Sequence, residues 1–290
     1  MSALAAKSAL LIAGPTASGK SALGLRLARQ RGGTIINADA LQVYGDLRIL
    51  SARPTAAEEA EVPHRLYGHV DGAVPYSVAA WLREARAALA QVWAEGRLPI
   101  LVGGTGLYFK ALEEGIADIP PIAEEIRNKW RDFRGDLHKE IQARDPAMAA
   151  RLNRNDRQRL IRALEVAEGT GKPLSQWQEQ GRAGAALAGV QVERLFVAVP
   201  REELYARAEA RFDRMVAQGA LDEVQALPPL DPSLPVMKAI GVPELLAVAR
   251  GERTLEEAAA AAKTATRHYI KRQMTWFRGQ MTHWPSLSPP

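Results

Sequence analysis

Gly14-Pro15-Thr16-Ala17-Ser18-Gly19-Lys20-Ser21 matches the phosphate-loop pattern G-x-x-x-x-G-K-S/T. The apolar run 9–13 before it is typical of a strand buried on both faces, and residues 21–31 after it have the apolar spacing of a helix. A glycine-rich loop between a strand and a helix directs backbone N–H groups at an anion. We therefore predict phosphate binding, with Lys20 as a point charge and the Ser21 hydroxyl as a ligand for Mg²⁺. The pattern does not determine which phosphate is bound.

Strand and helix patterns alternate after this loop. Residues 34–38, 99–102 and 195–199 are short apolar runs, and a helix pattern that Ser77 can cap separates the first two. The stretch 254–257 is a capping box at the start of a long C-terminal helix. Such alternation predicts an α/β fold with a parallel sheet between helices, which is a P-loop NTPase-like core.

The segment between the strand patterns at 99–102 and 195–199 contains no further strand pattern. It contains short helical patterns rich in Arg, which we place at 123–134, 137–144, 147–152 and 156–168. The simplest account is an all-α domain inserted into the α/β core. We predict this domain at 115–189 and the core at 1–114 and 190–290.

Composition excludes several classes of protein. The 290 residues are 47% hydrophobic and 24% charged, which is ordinary for a globular chain. With 0 Cys, the chain has no disulfides, no thiolate zinc site and no cysteine nucleophile. No apolar run approaches the roughly 20 residues of a membrane span. We expect a soluble cytoplasmic protein that acts as a monomer and does not bind membranes.

The net charge of +5 is concentrated in two segments. Residues 127–162 contain 11 Lys and Arg against 5 Asp and Glu, and residues 263–283 contain 5 Lys and Arg and no carboxylate. Two such segments suggest a bound polyanion, for example a nucleic acid. The alternative is that both are solvated helix faces.

Asp39 is the only acidic residue that directly follows a predicted core strand. An NTP-hydrolysing protein of this class usually has an acidic Mg²⁺ ligand after another core strand, but the strand at 99–102 runs into Gly-Gly-Thr. Ligands bind at the carboxyl ends of strands in an open α/β sheet. Three roles therefore remain open for Asp39: metal ligand, base toward a substrate, and turn former.

Seven motifs in order resemble those of the tRNA dimethylallyltransferase family, and the resemblance covers almost the whole chain. They lie at 14–21, 39–44, 102–108, 155–165, 211–212, 238–241, and 266–267 with 271–276. The chain departs from the family pattern at Ala40, where Ser is common, and at 50–53, where Leu-Ser-Ala-Arg replaces Gly-Thr-Ala-Lys. The zinc-finger extension of eukaryotic members is absent, so the chain resembles the bacterial form.

The resemblance implies transfer of a dimethylallyl group from its diphosphate to N6 of the adenosine 3′-adjacent to the anticodon of tRNA, with Mg²⁺. It assigns catalysis to Asp39 as the base and to Thr105, which orients the amine. The implied diphosphate or nucleotide site comprises Gly14, Pro15, Thr16, Ala17, Ser18, Gly19, Lys20, Ser21 and Arg211, with Ser21 as the metal ligand. The implied tRNA contacts are Asp39, Ala40, Leu41, Gln42, Thr105, Arg127, Gln158, Arg159, Leu160, Ile161, Arg162, Lys238, Gly241, Arg267, Lys271 and Arg272.

Helical spacing divides the predicted helix 156–168 into two sides. Gln158, Arg159 and Arg162 share a polar side, and Leu160, Ile161 and Leu164 lie on the other. The polar side suits RNA phosphates and bases, although a solvated amphipathic helix has the same pattern. Near the C-terminus, Trp276 and Phe277 fit either stacking on bases or core packing.

Two other functions are compatible with parts of the sequence. In a small-molecule or nucleotide kinase, the phosphate loop would hold ATP and Asp39 would activate a hydroxyl. That function leaves the two basic segments unused. In a non-catalytic RNA-binding protein the loop would be a relic, but the intact Lys20, Ser21 and Asp39 argue against it.

Overall fold

A computed structural model describes residues 7–180 and 184–288, which include a parallel sheet. The sheet has six strands in the order β3-β2-β4-β1-β5-β6. Every pairing between them is parallel, so the predicted fold class is confirmed. The strands are β1 (Ser8–Ala13), β2 (Gly33–Asn37), β3 (His64–Arg65), β4 (Leu98–Gly103), β5 (Gln191–Val197) and β6 (Ser286–Leu287).

Helices connect these strands, and one compact unit comprises residues 1–110 and 189–290. Its long C-terminal helix begins with the predicted capping box, in which the Thr254 hydroxyl accepts from the Glu257 N–H. The helices that begin within this unit are α1 (Lys20–Arg31), α2 (Ala56–Glu61), α3 (Val78–Ala94), α4 (Gly106–Glu114), α10 (Arg201–Ala217), α11 (Ala220–Gln225), α12 (Val242–Ala249) and α13 (Leu255–Gln280).

The register of the sheet brings three loops to one edge. Ala13 lies beside Gly103, and Asn37 lies beside Val102, so β1, β2 and β4 end at the same level. All three strands are buried along most of their length, because their apolar residues are covered on both faces. The loops that follow them therefore start from a rigid layer, with Gly14, Ala38 and Gly104 as neighbours.

The second compact unit, residues 111–188, contains only helices among its described residues. Trp130, Ile141 and Leu164 belong to its own apolar core, and the buried Asp145 carboxylate accepts from the N–H and the hydroxyl of Ser175. Helices that begin within this unit are α5 (Glu124–Asp132), α6 (Leu137–Arg144), α7 (Pro146–Arg151), α8 (Arg157–Thr170) and α9 (Leu174–Gln180). The sequence predicts an insertion at 115–189, close to these bounds.

Helix α8 has the two sides that its spacing predicts. Gln158, Arg159 and Arg162 are exposed, and Leu164 is buried. Leu160 is only 1% exposed because its side chain packs in the core of its unit, and its place among the tRNA contacts stays a prediction. The family motif had included Leu160 with its neighbours, although its helical position is on the apolar side.

Strand β5 begins at Gln191, earlier than the predicted 195. The apolar pattern missed the start of this strand because its first residues are polar and partly exposed, while its end is apolar. None of the helices within residues 7–180 and 184–288 is long and apolar enough to cross a membrane.

Candidate active site

The phosphate loop turns sharply between the central strand β1 and helix α1. Ala17 and Gly19 have φ values of 63° and 87°, and Gly19 is the N-cap of α1. The Lys20 ammonium folds back over the loop and donates to the Pro15 carbonyl at 3.2 Å. This arrangement directs the helix N-terminus and a lysine at the same space, as the pattern predicts.

Two half-buried cations lie at this loop. Burial lowers the pKa of Lys20 to about 8, although the charge of Asp39 raises it and that of Arg211 lowers it further. Burial also lowers the pKa of Arg211, against the opposing effect of Asp39. An anion in this space would relieve the cost of burying both charges, so the site favours binding of a phosphate group.

Gln273 of α13 joins the phosphate loop to the glycine turn after β4. Its Oε1 accepts from the Thr16 N–H at 2.9 Å, and its Nε2 donates to the Gly104 carbonyl at 2.9 Å. Arg211 donates to the Thr16 hydroxyl at 2.5 Å. Thr16 and Arg211, both predicted from the resemblance, are therefore adjacent. Gln273 is a positioning residue that was missing from the predicted site, although it lies within a predicted motif.

Asp39 follows β2 and is held by the side chain of Asn37. The Asp39 N–H donates to Asn37 Oδ1 at 2.8 Å, and Asn37 Nδ2 donates to the carbonyl of Leu66 at 3.0 Å. Asp39 Oδ1 accepts from the Leu41 N–H at 3.1 Å, while Oδ2 accepts no hydrogen bond from the described residues. One oxygen thus fixes the carboxylate and the other is available to a ligand.

The glycine turn lies directly against this carboxylate. A Cβ at Gly103 would lie 1.9 Å from the carbonyl oxygen of Ala38, so only glycine allows the backbones to approach so closely. A Cβ at Gly104 would lie 3.3 Å from Asp39 Oδ2. The Thr105 hydroxyl accepts from the Ala40 N–H at 2.9 Å, which leaves its own proton to donate. The turn therefore brings Thr105 to the loop that carries Asp39.

The charge of Asp39 acts on three tyrosines that the predicted site did not include. Burial raises the pKa of Tyr67, Tyr108 and Tyr269, and the negative charge of Asp39 raises each further. All three phenols are therefore neutral at physiological pH.

One cleft of about 1060 Å³, measured to its open mouth, connects these groups. It brings together nine of the predicted site residues: Thr16, Lys20, Ser21, Asp39, Leu41, Gln42, Arg211, Lys238 and Arg272. The arrangement can hold a phosphorylated ligand beside a carboxylate that accepts a proton.

Sequence comparisons extend the resemblance to the whole chain. The family model described as IPP transferase matches residues 42–280, and the model described as isopentenyl transferase matches residues 7–74. A tRNA dimethylallyltransferase from Bradyrhizobium sp. (strain BTAi1 / ATCC BAA-1182) is 54% identical over 288 residues, covering 97% of this chain and 94% of the relative. Another from Methylobacterium sp. (strain 4-46) is 55% identical over 289 residues, covering 97% and 94%. The chain belongs to the tRNA dimethylallyltransferase family.

A solved structure supports this membership. It is described as a eukaryotic dimethylallyltransferase acting on tRNA, and it is 28% identical to this chain with a TM-score of 0.80. The match covers 93% of this chain and 70% of that one. These similarities do not favour the kinase alternative, because the relatives are named for transfer to tRNA.

Among the predicted tRNA contacts of the α/β unit, Gln42, Lys238 and Arg272 line the cleft, whereas Arg267 and Lys271 do not. Lys238, Arg267, Lys271 and Arg272 are exposed, and the Arg267 Nε lies 3.2 Å from a carboxylate oxygen of Glu209. Half-buried Gln42 donates to the carbonyls of residues 51 and 52. These residues have the charge and exposure that their predicted role requires, and that role remains a prediction.

Gly241 and the two C-terminal aromatics are packing residues in this structure. A Cβ at Gly241 would lie 2.7 Å from Leu50 Cδ2, so the glycine admits a neighbouring side chain. Phe277 is buried, and its ring centroid lies 5.1 Å from that of Phe196. Trp276 packs over Gly106, where a Cβ would lie 2.0 Å from its ring. Core packing thus accounts for Phe277.

In the helical unit, the predicted contacts Arg127 and Ile161 are half-buried. Arg159 lies 3.4 Å from Asp156, and Arg162 lies 3.5 Å from Glu165. Both distances are longer than those of tight ion pairs, and both guanidinium groups are exposed. Such loosely paired cations suit contacts with phosphates.

Proposed function

We propose that this chain transfers the dimethylallyl group of dimethylallyl diphosphate to N6 of the adenosine 3′-adjacent to the anticodon of tRNA. The products would be N6-isopentenyladenosine and diphosphate. The observation that carries this proposal is the shared cleft, in which the phosphate loop, Arg211 and Asp39 face one space. The cations there suit a diphosphate leaving group, and the carboxylate suits the proton that the amine must lose.

The residues around the cleft fit each change in bonding. When the C1–O bond of the donor breaks, its electron pair stays on the diphosphate, whose growing charge Lys20 and Arg211 stabilise. The lone pair of N6 forms the new bond to C1, after which the nitrogen loses one proton. Asp39 Oδ2 accepts that proton, while Oδ1 keeps its hydrogen bond to the Leu41 N–H. Thr105 orients the amine with its hydroxyl.

The site also fits a Mg²⁺ ion bound with the donor. Ser21 is exposed in the first turn of α1 and lines the cleft. No group of three or more His, Cys, Asp or Glu in residues 7–180 and 184–288 could hold a metal. Diphosphate oxygens and water would supply most of the ligands, as Mg²⁺ readily accepts. When bound, the ion neutralises charge on the diphosphate.

Binding of tRNA rests on the exposed cations. The target base must leave its stack for its amino group to reach the cleft, so the enzyme has to hold the surrounding anticodon arm. Arg272 supplies charge at the cleft, Arg267 and Lys271 supply it elsewhere on α13, and Arg159 and Arg162 supply it on α8. Phosphate contacts of this kind position an RNA without reading its sequence.

Mass spectrometry of tRNA nucleosides tests this function directly. Unmodified tRNA is incubated with Mg²⁺ and dimethylallyl diphosphate, then digested to nucleosides, with the Asp39→Asn variant as the control. We expect the wild type to convert one adenosine to its N6-isopentenyl form and the variant to leave it unchanged. A parallel reaction with labelled ATP tests the kinase. Transfer of label to a small molecule without prenylated adenosine would contradict the proposal.

A further inference from the structure

The cleft is charged on one side and apolar on another. Five side chains form what we call the apolar wall: Leu50, Ala208, Phe212, Met215 and Ile240. Three of them, Ala208, Phe212 and Met215, come from helix α10 and are buried. The wall is therefore a packed surface against which the apolar part of a ligand can lie. The chemistry described above leaves it without a role.

Helix α10 places this wall beside the diphosphate site. Residues 208, 212 and 215 have the spacing of one helix face. Arg211 lies between the first two of them in the sequence of this helix. Arg211 also lines the cleft and donates to Thr16 of the phosphate loop. The helix thus offers a guanidinium group and an apolar surface side by side. A diphosphate ester of a small hydrocarbon has the same division into a charged head and an apolar tail.

We propose that the apolar wall binds the prenyl chain of the donor and that Met215 limits the length of this chain to five carbons. The inference rests on the prenyl transfer proposed above. It adds the residues that select one allylic diphosphate over its longer homologues.

Helix geometry supports Met215 as the limit. Met215 lies four residues beyond Arg211, which is about 6 Å along the helix axis. The four-carbon main chain of a dimethylallyl group has C–C bonds of about 1.5 Å, so it spans about 4 Å and fits within that distance. A geranyl chain is twice as long and would need the space that the Met215 side chain fills.

The opposite side of the wall is held in place by a carboxylate. Glu223 of α11 accepts from the backbone N–H groups of residues 48, 49 and 50, at 2.6, 2.7 and 2.9 Å. These bonds fix the loop that carries Leu50. Gly241 allows the wall to close, because a Cβ there would lie 2.7 Å from Leu50 and 3.2 Å from Phe212. A wall fixed in this way rejects a longer chain instead of yielding to it.

The test compares two donors, dimethylallyl diphosphate and geranyl diphosphate, with one tRNA acceptor. We expect the wild type to favour the five-carbon donor by at least about 100-fold in kcat/KM, since a closed apolar site discriminates by roughly this factor. Met215→Ala should reduce the preference to within about tenfold, mainly by gaining activity with geranyl diphosphate. Met281→Ala is the matched control, because Met281 is equally buried but does not line the cleft.

Leu50→Ala provides a second variant on a half-buried loop if Met215→Ala does not fold. It should also gain activity with geranyl diphosphate, and retained dimethylallyl transfer shows that it folds. Equal use of both donors by the wild type would overturn the inference. So would folded variants that gain no geranyl transfer, or that change only the KM for tRNA, since the wall would then bind the base. If the wild type prenylates tRNA with neither donor, the proposed function itself fails.

Discussion

The α/β unit and the helical unit hold their charged residues in opposite ways. In the α/β unit, Lys20 and Arg211 are buried enough for their pKa values to fall. Asp39 is fixed there by two hydrogen bonds: its N–H donates to Asn37 Oδ1, and its carboxylate accepts from the Leu41 N–H. In the helical unit, Arg159 and Arg162 are exposed and loosely paired. Buried, fixed charges act strongly on one reacting group, whereas exposed charges act weakly on any polyanion. We infer that chemistry belongs to the first unit and RNA affinity partly to the second.

The largest expected effect is that of Asp39→Asn. The amide keeps the shape and can still accept the Leu41 N–H, but it cannot take up the N6 proton. General-base catalysis contributes about 10²–10⁴-fold, so the single-turnover rate should fall by that factor while tRNA affinity stays constant. Rapid-quench measurement with nucleoside analysis gives the rate. A variant that keeps more than about a tenth of the wild-type rate would exclude Asp39 as the base.

The next effect concerns the diphosphate site. Lys20→Ala and Arg211→Ala should each lower kcat/KM for the donor by about 10²-fold. The two native side chains stabilise the negative charge of the diphosphate, which grows as the C–O bond breaks. Affinity for tRNA should not change. Arg201→Ala is the control, since Arg201 is exposed at the start of the same helix α10. If both substitutions weakened tRNA binding and left the donor kinetics unchanged, the assignment of Lys20 and Arg211 to the diphosphate site would be wrong.

Donor affinity should also depend on pH through Lys20. Its pKa is lowered to about 8, so the free site loses this charge as the pH rises through that value, and the donor then binds a neutral amine. The last phosphate ionisation lies near pH 6 and does not interfere. Above pH 8 the donor Kd should rise by up to about tenfold per pH unit. Isothermal titration from pH 7 to 9.5 measures it, and Lys20→Arg should abolish the dependence. A flat profile in the wild type would contradict the account.

The smallest effect is expected in the helical unit. Arg159→Ala combined with Arg162→Ala should weaken binding of an anticodon stem-loop, and each lost phosphate contact should lower the slope of log affinity against log salt by roughly 0.7 to 0.9. Donor binding should not change. The control pair is Arg29→Ala with Arg250→Ala, which are exposed cations outside both basic segments. An unchanged slope in the first variant would mean that this face of α8 is only solvated.

The fold and the phosphate loop could be predicted because their signals are local. The strand before the loop, Lys20 at the start of α1 and the capping box at Thr254 each depend on residues close in sequence. The partners that complete the site could not be predicted. Gln273 reaches Thr16 across 257 positions, and the charge of Asp39 raises the pKa of Tyr67 only through the folded structure. Nothing near these residues in sequence indicates such contacts.

At Leu160, the family motif and the helical spacing point to different roles. Its place in a family motif suggested a role in RNA binding, whereas its helical spacing placed it with Leu164 on the apolar side of α8. The structure agrees with the spacing, because a side chain that is 1% exposed has no surface for a ligand. Within a motif, periodicity therefore separates contact residues from packing residues.

The central claim is that the two units divide chemistry from RNA affinity, and one paired measurement tests it most directly. Single-turnover prenyl transfer and stem-loop Kd are measured on the same RNA for Asp39→Asn and for the Arg159→Ala, Arg162→Ala double variant. We predict that the first loses rate and keeps its Kd, and that the second loses affinity and keeps its rate at saturating RNA. A double variant that stays slow at saturating RNA, or an Asp39→Asn variant whose affinity falls with its rate, would contradict this division.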